Sequence, residues 1–224
     1  MKLRCELGLA EAAQPAAGNA SFWPIVSSAT LILALGSLSF FVWLREDRPL
    51  PPPVLVDTPF PAFELMDQDG EPFAASQLAG KVWVANFMFT GCTRTCPMQA
   101  AKMRLLQEEL QEIPEMADAV RLVSFSIDSE RDRPDVLRRY SDEYQADNST
   151  WHFLTGSKSE VVELSQQGFK LPAASAGGEA EPTHSDRFAL VDAGGRVRGY
   201  YLPTEEPGEL QRLVHDIRTI VVDR

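Results

Sequence analysis

The sequence predicts an α/β sandwich preceded by one N-terminal transmembrane helix. Three observations predict it: an uncharged run from Trp23 to Leu44, two nearly continuous apolar runs of strand length at 81–89 and 121–127, and helically spaced apolar residues between and after them. The 224 residues, 44% hydrophobic and 24% charged, suffice for one good-sized core and an appendage. Lys2 and Arg4 cancel Glu6 and Glu11 ahead of the apolar run, so the net charge of −11 belongs to the residues C-terminal to that run. Such a surface repels phosphate backbones, which excludes nucleic acid as a partner.

The first element is the membrane span. WPIVSSATLILALGSLSFFVWL, residues 23–44, covers roughly 30 Å as a helix, with Trp23 and Trp43 near the two interfaces. A cleaved leader would have a shorter apolar core and then a small-residue cleavage site, whereas REDRPLPPP comes next here. Residues 1–22 form a short N-terminal segment, 23–44 the anchor and 45–55 a proline-rich, semi-rigid spacer; the folded domain runs from 56 to 224. Lys2 and Arg4 against Arg45 and Arg48 leave the orientation undecided by charge.

Within the domain, FELMDQDGEPF reads as strand, turn and strand. KVWVANFMF (81–89) suits a central strand covered on both faces. Ala100, Met103, Leu106 and Leu110 then recur at helical spacing, and RLVSFSI (121–127) is a second buried strand. Pro134 to Tyr144 predicts a helix, HFLTG a short strand and Ser157 to Gln167 another helix. AASAGGEAEP (173–182) predicts a mobile loop. RFALVDAGGRVRGYY predicts a hairpin turning on its glycine pair, whose positive φ angles the turn requires. Leu210, Leu213, Val214 and Ile217 form the apolar stripe of a closing helix from Glu205 to Val222. This is the order of a thioredoxin-like sandwich.

That order puts Cys92 in the loop after the first long strand and Cys96 on the first turn of the next helix, with Pro97 beside it. Residues four apart on a helix lie about 5–6 Å apart at Cβ, so the pair can bind one metal ion or close a disulfide. The helix N-terminus favours thiolate, which both fates need. The spacing is not the Cys-x-x-Cys of a dedicated dithiol exchanger, so a chelate completed by an outside ligand gains weight. Cys5 is a bystander. Of the three histidines, His152 lies beside a strand and His215 on the polar side of the last helix, whereas His184 ends a loop from which it can reach the cysteines. Two thiolates and one imidazole suit Cu(I), whereas structural zinc wants four ligands.

From about Phe60 to Tyr201 the sequence resembles the Sco/SenC family of membrane-anchored copper chaperones. The resemblance rests on FTGCTRTCP, SFSIDSERDRPDVLRRY, WHFLTG and HSDRFALVDAGGRVRGYY, in that order. It implies a thioredoxin-like fold and copper held by Cys92, Cys96 and His184, as Cu(I) with Cu(II) left open. It also implies a redox-active Cys92–Cys96 disulfide and a role as metallochaperone rather than enzyme. Copper would come from an upstream donor and go to the CuA-bearing subunit of cytochrome c oxidase or a similar acceptor. The N-terminus would be cytoplasmic and the anchor a single pass of the inner membrane, with the domain in the periplasm or mitochondrial intermembrane space. Asp128 matches an acidic position near the metal loop. Thr93, Arg94 and Thr95 depart from the family's usual spacer, as VDAGG does from its usual turn, and Arg94 stands where it could stabilise thiolate charge. Two alternatives stay open. One is a thiol-disulfide reductase using Cys92 and Cys96 without metal; the other, carried by Thr93 three residues before Cys96, is a peroxidase of the peroxiredoxin type.

Overall fold

All seven residues of Val82–Met88 are buried, as a strand covered on both faces requires. In this computed structural model, which describes residues 50–174 and 183–222, that strand (β3) is the centre of a five-stranded sheet ordered β5-β4-β3-β8-β9. β4 (Val120–Ser126) and β5 (Trp151–Leu154) run parallel to it, while on the other side β8 (Phe188–Val191) pairs with it antiparallel and β9 (Val197–Tyr201) pairs antiparallel with β8. Residues 1–49, with Cys5, the predicted anchor and the start of the spacer, lie outside the described residues, as do 175–182. Among the described residues no helix is long and apolar enough to cross a membrane.

The predicted elements are found with small changes of boundary. FELMDQDGEPF forms the β1 (Glu64–Met66) and β2 (Pro72–Ala74) ribbon, and Met66 bridges to Thr155 at the end of β5. The cysteine helix, α1, spans Thr95–Gln111, and a single turn, α2 (Pro114–Ala117), leads into β4. That turn carries no periodicity to betray it. α3 (Pro134–Glu143) begins on its proline. Ser157 and Glu160 close a capping box at the start of α4 (Lys158–Glu163), which continues as a π turn over Leu164–Gly168. In the β8–β9 hairpin only Gly195 of the glycine pair takes a positive φ, +75°. The closing helix, α5 (Glu209–Val222), starts later than predicted.

Alternation along β3 divides the core. Trp83 and Phe87 point to one face, where Phe87 stacks on Phe125 of β4 and Phe169 packs against all three rings. Fully burying a ring such as Phe169 is worth about 2–3 kcal/mol. Asn86 points to the other face and bonds Gln99 of α1, so the cysteine helix lies there, packed beside α5. Ala173–Ala174 (β6), at the start of the loop predicted over 173–182, pairs with Thr183–His184 (β7), and the end of the semi-rigid spacer docks on β9. There Leu55 and Val56 donate to the Val197 carbonyl and Arg198 donates to that of Pro52, so contacts of the domain reach back to Pro52.

Candidate functional site

β3 ends at Met88, and the loop after it is pinned from β4's side by a buried carboxylate. Asp132 accepts the Thr90 backbone N–H at 3.0 Å, and the hydroxyls of Thr90 and Ser126 also donate to it. Burial pushes the Asp132 carboxyl up, and the hydrogen bonds from Ser126 and Thr90 offset this only in part. Cys92, two residues on, donates its backbone N–H to Phe89 and is half-buried.

Arg94, the N-cap of α1, makes no side-chain hydrogen bond to the helix start. Burial pushes the Cys92 thiol up, but the N–H groups of Cys96, Arg94 and Thr95, with the Cys96 side chain, outweigh it and hold the thiol below the ordinary cysteine range. These N–H groups at the start of α1, which lack intrahelical partners, favour the charged form of the nearby Cys92 sulfur. Arg94 is exposed, and its share in this comes through its backbone rather than its guanidinium.

Cys96 differs. It is 1% exposed, and burial pushes its thiol far above the ordinary range; a backbone bond at Phe89 opposes this, while Cys92 and the charge of Asp186 add to it. The expectation that the helix N-terminus favours thiolate at both cysteines is therefore corrected for Cys96, where desolvation exceeds the dipole's pull.

His184 reaches Cys96 from β7. Its Nε2 lies 3.3 Å from Cys96 Sγ, its Nδ1 lies 3.0 Å from the Ser185 carbonyl, and Phe89 packs edge-on to its ring. A carbonyl only accepts, so Nδ1 carries the proton, Nε2 presents its lone pair and the Cys96 S–H donates to it. Cys92 and Cys96 are both free thiols and interact with each other. Among the described residues, no three His, Cys, Asp or Glu side chains are gathered about one point closely enough to hold a metal ion.

The other sequence candidates lie elsewhere. His152 packs against Phe73 with its ring tilted, its pKa lowered by burial, and His215 is exposed on α5. The Asp128 carboxylate pairs with Arg131 at 3.2 Å, and the acid that reaches the cysteine loop is Asp132, four residues later in the same block. Sequence reasoning also passed over Gln99 and Tyr140, whose hydroxyl reaches the Cys96 carbonyl at 3.4 Å. Gln99 had a legible signal, as a polar residue four before Met103 on the helix's apolar stripe.

Residues 57–221 match the SCO1/SenC family, and the match includes both cysteines, His184 and Asp132. The chain belongs to the SCO1/SenC family. It is 38% identical over 136 residues to the SCO1 protein homolog of Bacillus subtilis, covering 60% of this chain and 69% of that one. Among solved structures it is similar to BsSco, a member of the Sco family of cytochrome c oxidase assembly proteins in which a disulfide switch was identified. The identity is 31% and the TM-score 0.68, over 79% of this chain and all of that one. Yeast Sco1 with copper bound shares the fold at 22% identity and TM-score 0.59, over 72% of this chain and 89% of that one. The Sco fold is a mixed α/β, thioredoxin-like one, as the order of elements predicts.

Proposed function

We propose that this SCO1/SenC protein is a membrane-anchored copper chaperone that takes Cu(I) as cargo on Cys92, Cys96 and His184 and passes it to the CuA-bearing subunit of cytochrome c oxidase. The observation that carries the reading is the contact of Cys96 Sγ with His184 Nε2. An imidazole whose Nδ1–H is held by a carbonyl offers Nε2 to a metal, which is how ligating histidines are oriented in general. The donor chemistry fits: two sulfurs and one nitrogen suit a soft ion content with low coordination. Loading needs the Cys96 proton to leave, so that both sulfurs can be held as thiolates on the ion. Cys92, nearer to solvent than Cys96, is then the ligand through which an acceptor's thiolate can begin exchange. The copper found in yeast Sco1 and the assembly role of BsSco's family support the cargo and the acceptor class.

In this reading Trp23–Leu44 is a single inner-membrane pass that keeps the N-terminus in the cytoplasm, and the domain faces the periplasm, or the intermembrane space in a mitochondrion. A Cu(I) titration of the reduced full chain tests it, with one ion per chain expected. Uptake of none, or undiminished uptake by Cys92→Ser or Cys96→Ser, would overturn the site.

A second reading is favoured by the asymmetry of the thiols. Cys92 is accessible with its thiol held low, and Cys96 is buried with its thiol held high, as in an attacking and a resolving pair. The Cys92 thiolate would attack an acceptor's disulfide, forming a mixed disulfide and releasing one acceptor thiolate. Cys96, its proton passed to His184 Nε2, would then attack the Cys92 sulfur of that mixed disulfide and expel the acceptor's second thiolate. The products are a reduced acceptor and a Cys92–Cys96 disulfide, which an external dithiol must reduce. Turnover of a disulfide substrate by metal-free protein separates this reading from the first.

A further inference from the structure

A chain of hydrogen bonds crosses the core and ends on the histidine loop. Trp151 Nε1 donates to Ser124 Oγ at 2.9 Å, Ser124 Oγ to Asn86 Oδ1 at 2.7 Å, Asn86 Nδ2 to Gln99 Oε1 at 2.9 Å, and Gln99 Nε2 to Asp186 Oδ1 at 3.1 Å. Its direction is set at both ends. An indole N–H can only donate and a carboxylate can only accept, so each hydroxyl and amide between them has one consistent orientation. Ser124, Asn86 and Gln99 are each at most 2% exposed. Buried polar groups like these cost stability unless they are paired, and here each finds a partner.

The chain links five structural pieces: β5, β4, β3, α1 and the segment after β7. Its last bond joins the helix that carries Cys96 to a residue two beyond His184, and it lies within one turn of Cys96 on that helix. The two-residue ladder of β6 with β7 is another hold on the loop.

We propose that Gln99 is a positioning residue, tying α1 to Asp186 so that His184 is held against Cys96 before the metal arrives. A histidine already fixed in place loses less freedom on ligation than one on a free loop, so the tether slows metal loss by pre-organising the third ligand. The effect on copper rests on the chaperone reading; the tether itself does not.

The test uses the reduced full chain and four variants. Asp186→Ala removes the acceptor, Asp186→Asn keeps an amide oxygen to accept, and Gln99→Glu sets two carboxylates against each other. Gln99→Glu/Asp186→Asn restores a donor facing an acceptor. Backbone hydrogen exchange at 183–187 is read on metal-free protein, Cu(I) release to a competing chelator on loaded protein, and melting temperature on both. Asp186→Ala and Gln99→Glu should each speed exchange and copper release by about tenfold, a usual size for one coupled pair. Asp186→Asn and the double variant should stay within about threefold of wild type. Equal behaviour of Asp186→Ala and Asp186→Asn, no recovery in the double variant, or release that merely tracks melting temperature would overturn the proposal. Should Gln99→Glu not fold, the two Asp186 variants decide it. Should wild type take up no Cu(I), the chaperone reading fails, and hydrogen exchange still judges the tether.

Discussion

Cys96 Sγ and His184 Nε2 stand 3.3 Å apart although 88 residues separate them in the chain. The thiol comes from the first turn of α1 and the imidazole from β7, so the contact is made by the tertiary fold and not by any local element. Its partners are a soft sulfur and a lone-pair nitrogen, the donors that Cu(I) prefers.

His184→Ala should therefore weaken Cu(I) binding by more than about a hundredfold, beyond what losing an outer partner of a ligand costs. His152→Ala and His215→Ala should leave it nearly unchanged, because one histidine packs against Phe73 and the other is exposed on α5. Chelator competition measures all three. Greater damage from His152→Ala would place the nitrogen ligand elsewhere.

Oxidation should act as an off switch. A sulfur committed to a disulfide has no thiolate to offer, so protein with a Cys92–Cys96 bond should bind no Cu(I), while reduced protein binds one ion per chain. Bound copper should in turn slow oxidation of the thiols. Copper uptake with free-thiol counts before and after mild oxidation checks both statements, and full uptake by oxidised protein would refute them.

Asp132→Ala should destabilise the domain by about 2–3 kcal/mol, because it strands the half-buried Thr90 N–H and the buried Ser126 hydroxyl. Urea unfolding of wild type and variant gives the difference. A loss under about 0.5 kcal/mol would mean the cysteine loop is held by other contacts.

Asp192 links stability to pH. Burial pushes its carboxyl up, but the backbone N–H of Arg196, the Arg198 guanidinium, the charge of Arg196 and the N–H of Gly194 outweigh that and hold it below the usual carboxylate range. A depressed pKa contributes stability that is present above the unfolded value, about 3.9, and lost as pH falls through the folded value. Asp192→Asn should thus lower the melting temperature at pH 7, by the equivalent of about 1.5–3 kcal/mol. The gap should narrow below about pH 4, which melts at pH 7, 5 and 3 would track. A gap that widens in acid would show the sign to be wrong.

A chain beginning at Pro49 should be monodisperse without detergent, and one beginning at Asp57 should be less stable by about 1–3 kcal/mol. The shorter chain loses the Leu55 and Val56 bonds to Val197 and leaves Arg198 without the Pro52 carbonyl. Melting temperature and light scattering compare the two. Equal stability would mean that the spacer's docking contributes nothing.

Much of the fold is legible in the sequence because local burial writes itself as periodicity. A strand covered on both faces must be apolar throughout, as 82–88 is, and a helix lying on a sheet must repeat its apolar residues as Ala100, Met103, Leu106 and Leu110 do. The cysteine pair at a strand-to-helix junction comes from the same boundaries, and the four sequence blocks add His184. The one-turn helix at Pro114 and the β6–β7 ladder escaped because elements of two to four residues are too short to show a period.

The sequence by itself determined which residues form the sheet, which turn opens the cysteine helix and which side chains have the chemistry to bind a soft metal. Only the tertiary structure decided how those side chains behave. Cys92 and Cys96 read alike along the chain, yet helix N–H groups hold one thiol low while burial holds the other high. Asp132 rather than Asp128 holds the cysteine loop, and Gln99 is turned toward Asp186, because such pairings depend on which elements the sheet order brings together. The physical reason is one of range. Periodicity records burial between near neighbours in the chain, whereas desolvation and hydrogen bonding act between groups that become neighbours only when the chain has folded.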